Sequence, residues 1–188
     1  MIAYAITDPS TLNFNTLKTD IERFSKKAEM IVYRDKSNDD YAKYAREFIL
    51  EAKKHAFQKI LLHTDYNLAK QLGADGVHLK STQFSEIKNA KALGLFVVIS
   101  THSLDEALEA QKLGADMVTF SPIFATPNKG EPKGIEELKK VVSALSIGLI
   151  ALGGIVSNEQ IDLCKEAGVN GFASIRYFKF GFTQRGWH

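Results

Sequence analysis

The sequence has 188 residues, with 24 basic and 22 acidic side chains for a formal net charge of +2, and 45% of it is hydrophobic. That is enough chain to bury a core without a disulfide or metal staple, so one domain spanning 1–188 is expected. The balanced charge argues against nucleic acid as a partner, no apolar stretch approaches the roughly 20 residues of a membrane span, and Met1–Asp8 carries no basic leader, so a cytoplasmic protein is expected.

In chain order, short runs rich in Val, Ile, Leu and Phe read as strands at Ile2–Thr7, Glu29–Arg34, Lys59–Thr64, Gly76–Leu79, Phe96–Thr101, Met117–Ile123, Gly148–Gly153 and Gly171–Ile175. Runs such as Leu95-Phe96-Val97-Val98-Ile99 are apolar on both faces, as parallel strands covered by helices are. The segments between them are amphipathic. Over Leu104–Leu113, the residues Leu104, Ala107, Leu108 and Leu113 fall near one face, Ser103 caps the N-terminus with Glu106 completing a capping box, and Gly114 stops the helix. The single cysteine, Cys164, reads as a small buried apolar group beside Ile161 and Leu163. One thiol excludes an internal disulfide framework and fits a reducing compartment.

Three segments repeat one pattern of helix end, glycine stop, short polar turn and strand start: Leu72-Gly73-Ala74-Asp75-Gly76-Val77, Leu113-Gly114-Ala115-Asp116-Met117-Val118 and Ala167-Gly168-Val169-Asn170-Gly171-Phe172. Such copies indicate a repeated βα unit. Eight strands interleaved with helices favour a (β/α)₈ TIM barrel. The alternative is a doubly wound sheet, but its Gly-rich loop after the first strand is replaced here by Thr7-Asp8-Pro9-Ser10. After Ile175 only 13 residues remain, and Gly181 and Gly186 oppose a helix among them. The barrel is therefore expected to lack a regular eighth helix and to end in an aromatic tail over 176–188.

A barrel of this kind carries its chemistry at the C-terminal ends of its strands, and here those ends are polar. Gly153-Gly154 lets backbone amides approach an anion ahead of a helix N-terminus, although a tight turn alone also uses such a pair. Arg34 and Lys36, two residues apart, suit an anion clamp or form a solvated pair bridged by Asp35. Lys129, between Asn128 and Gly130 in the loop 124–134, closes over a ligand or only keeps the loop soluble. His63, His78 and His102 are candidate acid–base groups. A lone strand histidine is more often a satisfied core residue, and His102, then His63, is favoured because each follows a strand at the expected mouth. No His/Cys/Asp/Glu spacing resembles a zinc site, so no metal is expected, and no Ser/His/Asp motif occurs.

An ordered set of motifs resembles a known family. It runs through Tyr4-Ala5-Ile6-Thr7-Asp8, Val32-Tyr33-Arg34-Asp35-Lys36, Gly73-Ala74-Asp75-Gly76-Val77-His78-Leu79, Ile99-Ser100-Thr101-His102-Ser103, Ser121-Pro122-Ile123-Phe124-Ala125-Thr126 and Ala151-Leu152-Gly153-Gly154-Ile155. The set is similar to thiamin phosphate synthase and its relative, the TenI-type thiazole tautomerase. The resemblance implies a (β/α)₈ barrel that binds a small phosphorylated thiazole. By position, Gly153, Gly154 and the backbone around Ile175 and Arg176 would hold its phosphate. Ser100, Thr126 and Lys129, with Asn128 alongside, would border the thiazole and a second substrate. Arg34 and Lys36 would face the diphosphate of the pyrimidine substrate in a synthase, whose reaction needs Mg²⁺ to spread the leaving charge.

Several positions depart from the synthase pattern. Val32 stands where synthases place a Gln, His63-Thr64 where they carry Asn-Asp, and Gln83 where a second metal-side aspartate follows the fourth strand. Hard cations need oxygen ligands, so the resemblance points to the TenI-like branch: a thiazole phosphate tautomerase or degenerate relative without a cofactor. One alternative is a synthase that joins hydroxymethylpyrimidine diphosphate to thiazole phosphate and uses Mg²⁺ through Asp65 or Asp8. The other is a non-catalytic thiazole phosphate-binding or regulatory protein. Pro122 occupies the tautomerase's catalytic histidine position, so His102, His63 or Lys129 would have to supply the chemistry, and Arg176 replaces the family serine after the last strand. The resemblance also suggests a homodimer, with docking by the tail as one route to it.

Overall fold

In the computed structural model, which describes residues 1–179, eight strands alternate with helices. The first half runs β1 (Ile2–Ile6), α1 (Leu17–Ser25), β2 (Met30–Tyr33), α2 (Tyr41–Ala52), β3 (Lys59–His63), α3 (Tyr66–Leu72), β4 (Gly76–Leu79) and α4 (Ile87–Ala92). The second half runs β5 (Phe96–Thr101), α5 (Leu104–Leu113), β6 (Met117–Phe120), α6 (Gly134–Ala144), β7 (Gly148–Leu152), α7 (Asn158–Glu166) and β8 (Gly171–Ser174). Every neighbouring pair is parallel, and β8 pairs with β1 to close the barrel. No helix among the described residues is long and apolar enough to cross a membrane.

Only a 3₁₀ turn, Arg176–Phe178, follows β8, so the described residues contain no regular eighth helix. Phe178 fills part of that gap, fully buried with its ring 6.4 Å from Phe24 of α1 and 6.0 Å from Phe172 of β8. Phe180, Phe182 and Trp187 of the expected aromatic tail lie outside the described residues.

The period-two geometry of a strand sorts the side chains into two apolar layers. Tyr4, Ile6, Met30, Val32, Leu61, Val98, Met117, Ile150 and Ala173 fill the inside of the barrel. Their alternates, among them Ile31, Leu62, Val77, Val97 and Val118, pack outward against the helices. This is why the strands read as apolar on both faces.

Some helix details differ from expectation. Leu108 turns outward at 38% exposure, while Ala107 and Ala110 hold the buried face of α5. Ser103 Oγ accepts from the Glu106 N–H, but the Glu106 carboxylate accepts from the His102 N–H instead of that of Ser103, so the expected box is displaced by one residue. The reciprocal box forms at Ser157 and Gln160 of α7. Cys164 is buried, as expected, and burial pushes its thiol up to about 11, whereas Leu163 beside it is exposed.

The repeated joints acquire a physical role at the N-terminal end of the barrel. In each, the residue just ahead of an even-numbered strand grips the start of the preceding odd-numbered one. The Asp75 carboxylate accepts from the Ile60 N–H at 2.7 Å, and the Asp75 N–H donates to the Ile60 carbonyl at 2.9 Å. Asp116 does the same to Val97 at 2.7 and 2.9 Å, and Asn170 to Leu149 at 2.9 and 2.9 Å. Glu29 supplies a fourth clasp, to Ala3, outside the glycine-containing repeat. These amides begin their strands, where an unpaired N–H would otherwise be left at the edge of the core.

Asp116 also holds the Lys91 ammonium at 2.7 Å. Replacing it with Ala should cost about 1–3 kcal/mol, the usual penalty for orphaning such a donor, read as a lower urea midpoint. Asp116→Asn, which keeps an oxygen for the Val97 amide, should retain most of that stability. An alanine variant as stable as the parent would show that the clasp contributes nothing.

Candidate active site

The strand ends converge on one cavity of about 590 Å³. Arg34, Lys36, His63, Ser100, His102, Thr126, Lys129, Gly153, Gly154, Ile175 and Arg176 all line it. Asn128 does not. It is exposed with φ at 61°, so the backbone turns there and only the next residue, Lys129, reaches the cavity wall. His78, the least favoured of the three candidate histidines, lines the cavity as well, with Asp8, considered above only as a metal ligand of the synthase alternative, and Lys80, which was not singled out.

Local bonds place the cationic wall. Thr7 Oγ1 donates to the Val32 carbonyl and accepts from the Arg34 N–H, which joins the ends of β1 and β2 just where Arg34 leaves the sheet. The Tyr41 phenol donates to the Tyr33 carbonyl at 2.7 Å and accepts from the His63 N–H at 3.1 Å, bridging β2 to β3. Gln83 grips Lys80 from two directions: its Oε1 accepts from the Lys80 N–H, and its own N–H donates to the Lys80 carbonyl. Its amide nitrogen also donates to the carbonyl of Thr64, a β-branched residue held at φ 68°. That conformation is costly for such a side chain and persists only where neighbours impose it.

The result is a strongly one-signed mouth. Arg34, Lys36, Lys80, Lys129 and Arg176 line the cavity against a single carboxylate, Asp8. The repulsion is felt by Lys36, whose ammonium is pulled below its ordinary range first by Arg34, then by partial burial, then by Lys129 and Lys80.

Across the mouth, Gly153 and Gly154 sit at φ 100° and 71°. A Cβ on Gly153 would lie 2.7 Å from Pro122 Cα, and one on Gly154 would lie 2.7 Å from the Ala125 carbonyl oxygen. Both glycines are therefore required for the loop after β7 to press on the loop after β6. The same close packing leaves this stretch of backbone on the cavity wall without a side chain to cover it.

Below them runs a buried polar chain. His78 Nδ1 lies 2.9 Å from the Tyr4 hydroxyl and His78 Nε2 lies 3.1 Å from Ser100 Oγ. Burial, reinforced by the Arg34 charge, lowers His78 to about 3, so the ring is neutral. The phenol proton of fully buried Tyr4 needs an acceptor, which makes Tyr4 the donor to Nδ1. Nε2–H then donates to Ser100 Oγ, and the Ser100 hydroxyl proton is left to point into the cavity. Neither partner is visible from His78 in sequence, being 74 and 22 residues away. The one local signal is a polar side chain on the otherwise apolar inner face of β4.

His63 is also lowered to about 3, by burial first and then by His78 and Arg34. It is neutral at physiological pH and has no proton to give as an imidazolium. His102 lies at the rim with Nδ1 3.0 Å from the Ser121 carbonyl. A carbonyl only accepts, so Nδ1 carries a hydrogen, and in the neutral ring the lone pair is on Nε2.

The residues present do not fit the Mg²⁺ site of the synthase pattern. Among the described residues no three His, Cys, Asp or Glu groups converge to hold a metal. Asp65 caps α3 by accepting from the Leu68 N–H, and Gln83 is engaged with Lys80, Thr64 and Glu86.

Fold and site together define a (β/α)₈ barrel with a cation-lined cavity at the catalytic end of its strands. The thiamine monophosphate synthase family model matches residues 3–178, and the chain belongs to that family. It is 36% identical over 181 residues to a putative thiamine-phosphate synthase 2 of Aquifex aeolicus, covering 93% of this chain and 96% of the relative. It is 33% identical over 180 residues to the thiamine-phosphate synthase of Clostridium novyi, covering 92% and 87%. The solved thiamine phosphate pyrophosphorylase of Pyrococcus furiosus superposes with a TM-score of 0.79 at 27% identity, covering 93% of this chain and 85% of that one.

The two neutral histidines contribute to the acid response of the fold. Their folded values of about 3 lie below the ordinary 6.5, so the unfolded chain takes up protons first. Their contribution is complete above pH 6.5 and is lost as pH falls toward 3. The slope is up to about 1.4 kcal/mol per pH unit for each histidine. Urea midpoints taken between about pH 7 and pH 5 should fall accordingly, and His78→Gln should flatten the decline. An unchanged slope in that variant would show that His78 is not held neutral by the fold.

Proposed function

We propose that this protein is a thiamin phosphate synthase, which joins hydroxymethylpyrimidine diphosphate to thiazole phosphate and releases diphosphate. The observation that carries the reading is a cavity lined by anion-suited groups from two parts of the barrel: Arg34, Lys36 and Lys80 after β2 and β4, and Gly153, Gly154 and Arg176 after β7 and β8, with Lys129 reaching it from the loop after β6. Two such groups suit two phosphorylated substrates. The names of the relatives support the same reading, and they give no specific support to the tautomerase expected from the sequence.

The chemistry agrees with the charges. The thiazole ring nitrogen attacks the pyrimidine methylene carbon, the carbon–oxygen bond to diphosphate breaks, and its electron pair leaves on the diphosphate. No proton leaves the attacking nitrogen, so the step calls for stabilised anionic charge more than for an acid–base pair. Arg34 and Lys36 would face the diphosphate as it gains charge, and Lys129 would close the loop after β6 over it. The glycine pair and Arg176 would hold the thiazole phosphate, and the Ser100 hydroxyl would offer a hydrogen bond between the two. A tautomerase instead moves a proton within one phosphorylated ring, while His63 and His78 are both held neutral.

Incubating the protein with both substrates should yield thiamin phosphate, detected by oxidation to a fluorescent product. Arg34→Gln should lower kcat/KM by about 10- to 100-fold, the scale of one charge-assisted contact to a developing anion. Absence of thiamin phosphate, with or without Mg²⁺, would overturn the synthase reading. Isomerisation of a thiazole phosphate supplied alone would favour the tautomerase, with His102 Nε2 as its base.

A further inference from the structure

We infer that this barrel holds the diphosphate of its substrate without a divalent metal ion, the Lys80 ammonium acting beside Arg34 and Lys36 as the resident counter-charge. The inference rests on the synthase reading and adds to it how the leaving group is neutralised.

Three observations carry it. The first concerns ligands. A magnesium ion at a phosphate site keeps several waters and takes one or two carboxylates from the protein. Each carboxylate near the mouth has one oxygen committed to its own loop: Asp8 Oδ1 accepts from the N–H and hydroxyl of Ser10, Asp35 Oδ1 from the N–H and hydroxyl of Ser37, and Asp65 Oδ1 from the Leu68 N–H. Only Asp8 of these lines the main cavity.

The second concerns the field. Five cationic side chains against one carboxylate repel a free divalent cation and attract a polyanion. Lys80 lines both the main cavity and the recess beside it, where it meets Lys36 and His63 again together with Asp35 and Asp65. From the end of β4 it is therefore shared between the two spaces.

The third concerns placement. Gln83 holds the backbone of Lys80 through both its N–H and its carbonyl, and the same Gln83 fixes Thr64 on the adjoining loop. Lys80 is thus set on a braced turn, although its side chain is exposed. The mutual repulsion recorded at Lys36 is relieved once an anion lies among the cations. An ammonium supplies up to three hydrogen bonds to phosphate oxygens and one fixed charge, which is the work a hydrated metal does at such a site.

Inorganic pyrophosphate provides the test. Calorimetric titration of the 188-residue chain should show binding in the presence of a chelator, with an affinity within a few-fold of that in millimolar Mg²⁺. Lys80→Gln should weaken the chelator-condition affinity about tenfold or more, and Lys80→Arg, which keeps the charge, should retain most of it. Circular dichroism of each variant checks that the exposed substitution leaves the fold intact. Binding that appears only with Mg²⁺, or a Lys80→Gln variant that binds like the parent, would overturn the inference. Metal-free pyrophosphate binding by a protein that makes no thiamin phosphate would sustain the anion site while removing the synthase reading. Thiamin phosphate formed only with Mg²⁺ would do the reverse.

Discussion

The barrel depends on how its strands begin. A parallel strand enters the sheet with an amide that has no ladder partner until a neighbour provides one, and a buried unpaired donor is costly. Here Glu29, Asp75, Asp116 and Asn170 each give that amide a side-chain acceptor and return a backbone N–H to the same residue's carbonyl. Three of the four pass the connection onward: the carbonyls of Glu29, Asp75 and Asn170 accept from Gln58, Phe96 and Ile2 at or beside the start of the following odd strand. The register of the whole sheet is thereby set at the end remote from the cavity. Because side chains alternate along a strand, that register decides which residues face inward at the opposite end. A one-residue slip in β2 would turn Arg34 away from the mouth and bring Asp35 inward.

That division of labour explains why the mouth tolerates features that would weaken an ordinary surface. It gathers like charges, buries the neutral His78 and half-buries the neutral His63, and holds Thr64 in a left-handed conformation. Each of these costs stability on its own. The clasps and the two apolar layers lie elsewhere, so the cost falls on the functional end and leaves closure of the barrel untouched. Tyr4 connects the two regions: it stands in the inner apolar layer, and its hydroxyl is the first member of the chain that reaches Ser100.

How much of this could be read in the sequence follows from the range of each interaction. Gly73 and Gly114 mark helix ends because a left-handed residue is a local demand, and both sit at positive φ. The strand starts were legible from short apolar runs. The expected strand ends overran by one residue at Thr7, Arg34, Thr64, Gly153 and Ile175 and by three at Ile123, since most residues that leave the sheet there are apolar, small or β-branched. The joints were visible as a repeat, but their role was not, because each partner lies 15 to 26 residues away and a carboxylate ahead of a strand looks like any polar turn. The partners of His78 were hidden for the same reason. Asn128 and Lys129 are adjacent in a loop without periodicity, and only the backbone conformation shows which one faces the cavity.

The expectation of a tautomerase came from counting carboxylates one strand at a time, which registers what a metal site lacks. The complementary quantity is the summed charge of the strand ends, and it exists only once the barrel brings them together. Singly, Arg34-Asp35-Lys36 is a balanced surface pair and Lys80 or Lys129 a solubilising lysine. Around one cavity, Asp35 points to the neighbouring recess while Arg34 and Lys36 line the main wall. On the metal-free reading inferred above, the missing acidic side chains and the cations at the mouth are complementary: the charge a metal would bring from solution is carried by the site's own side chains. Such a site is least comfortable when empty, because each cation raises the cost of its neighbours' charge. An anion that binds the folded form alone removes that repulsion and stabilises the fold by mass action.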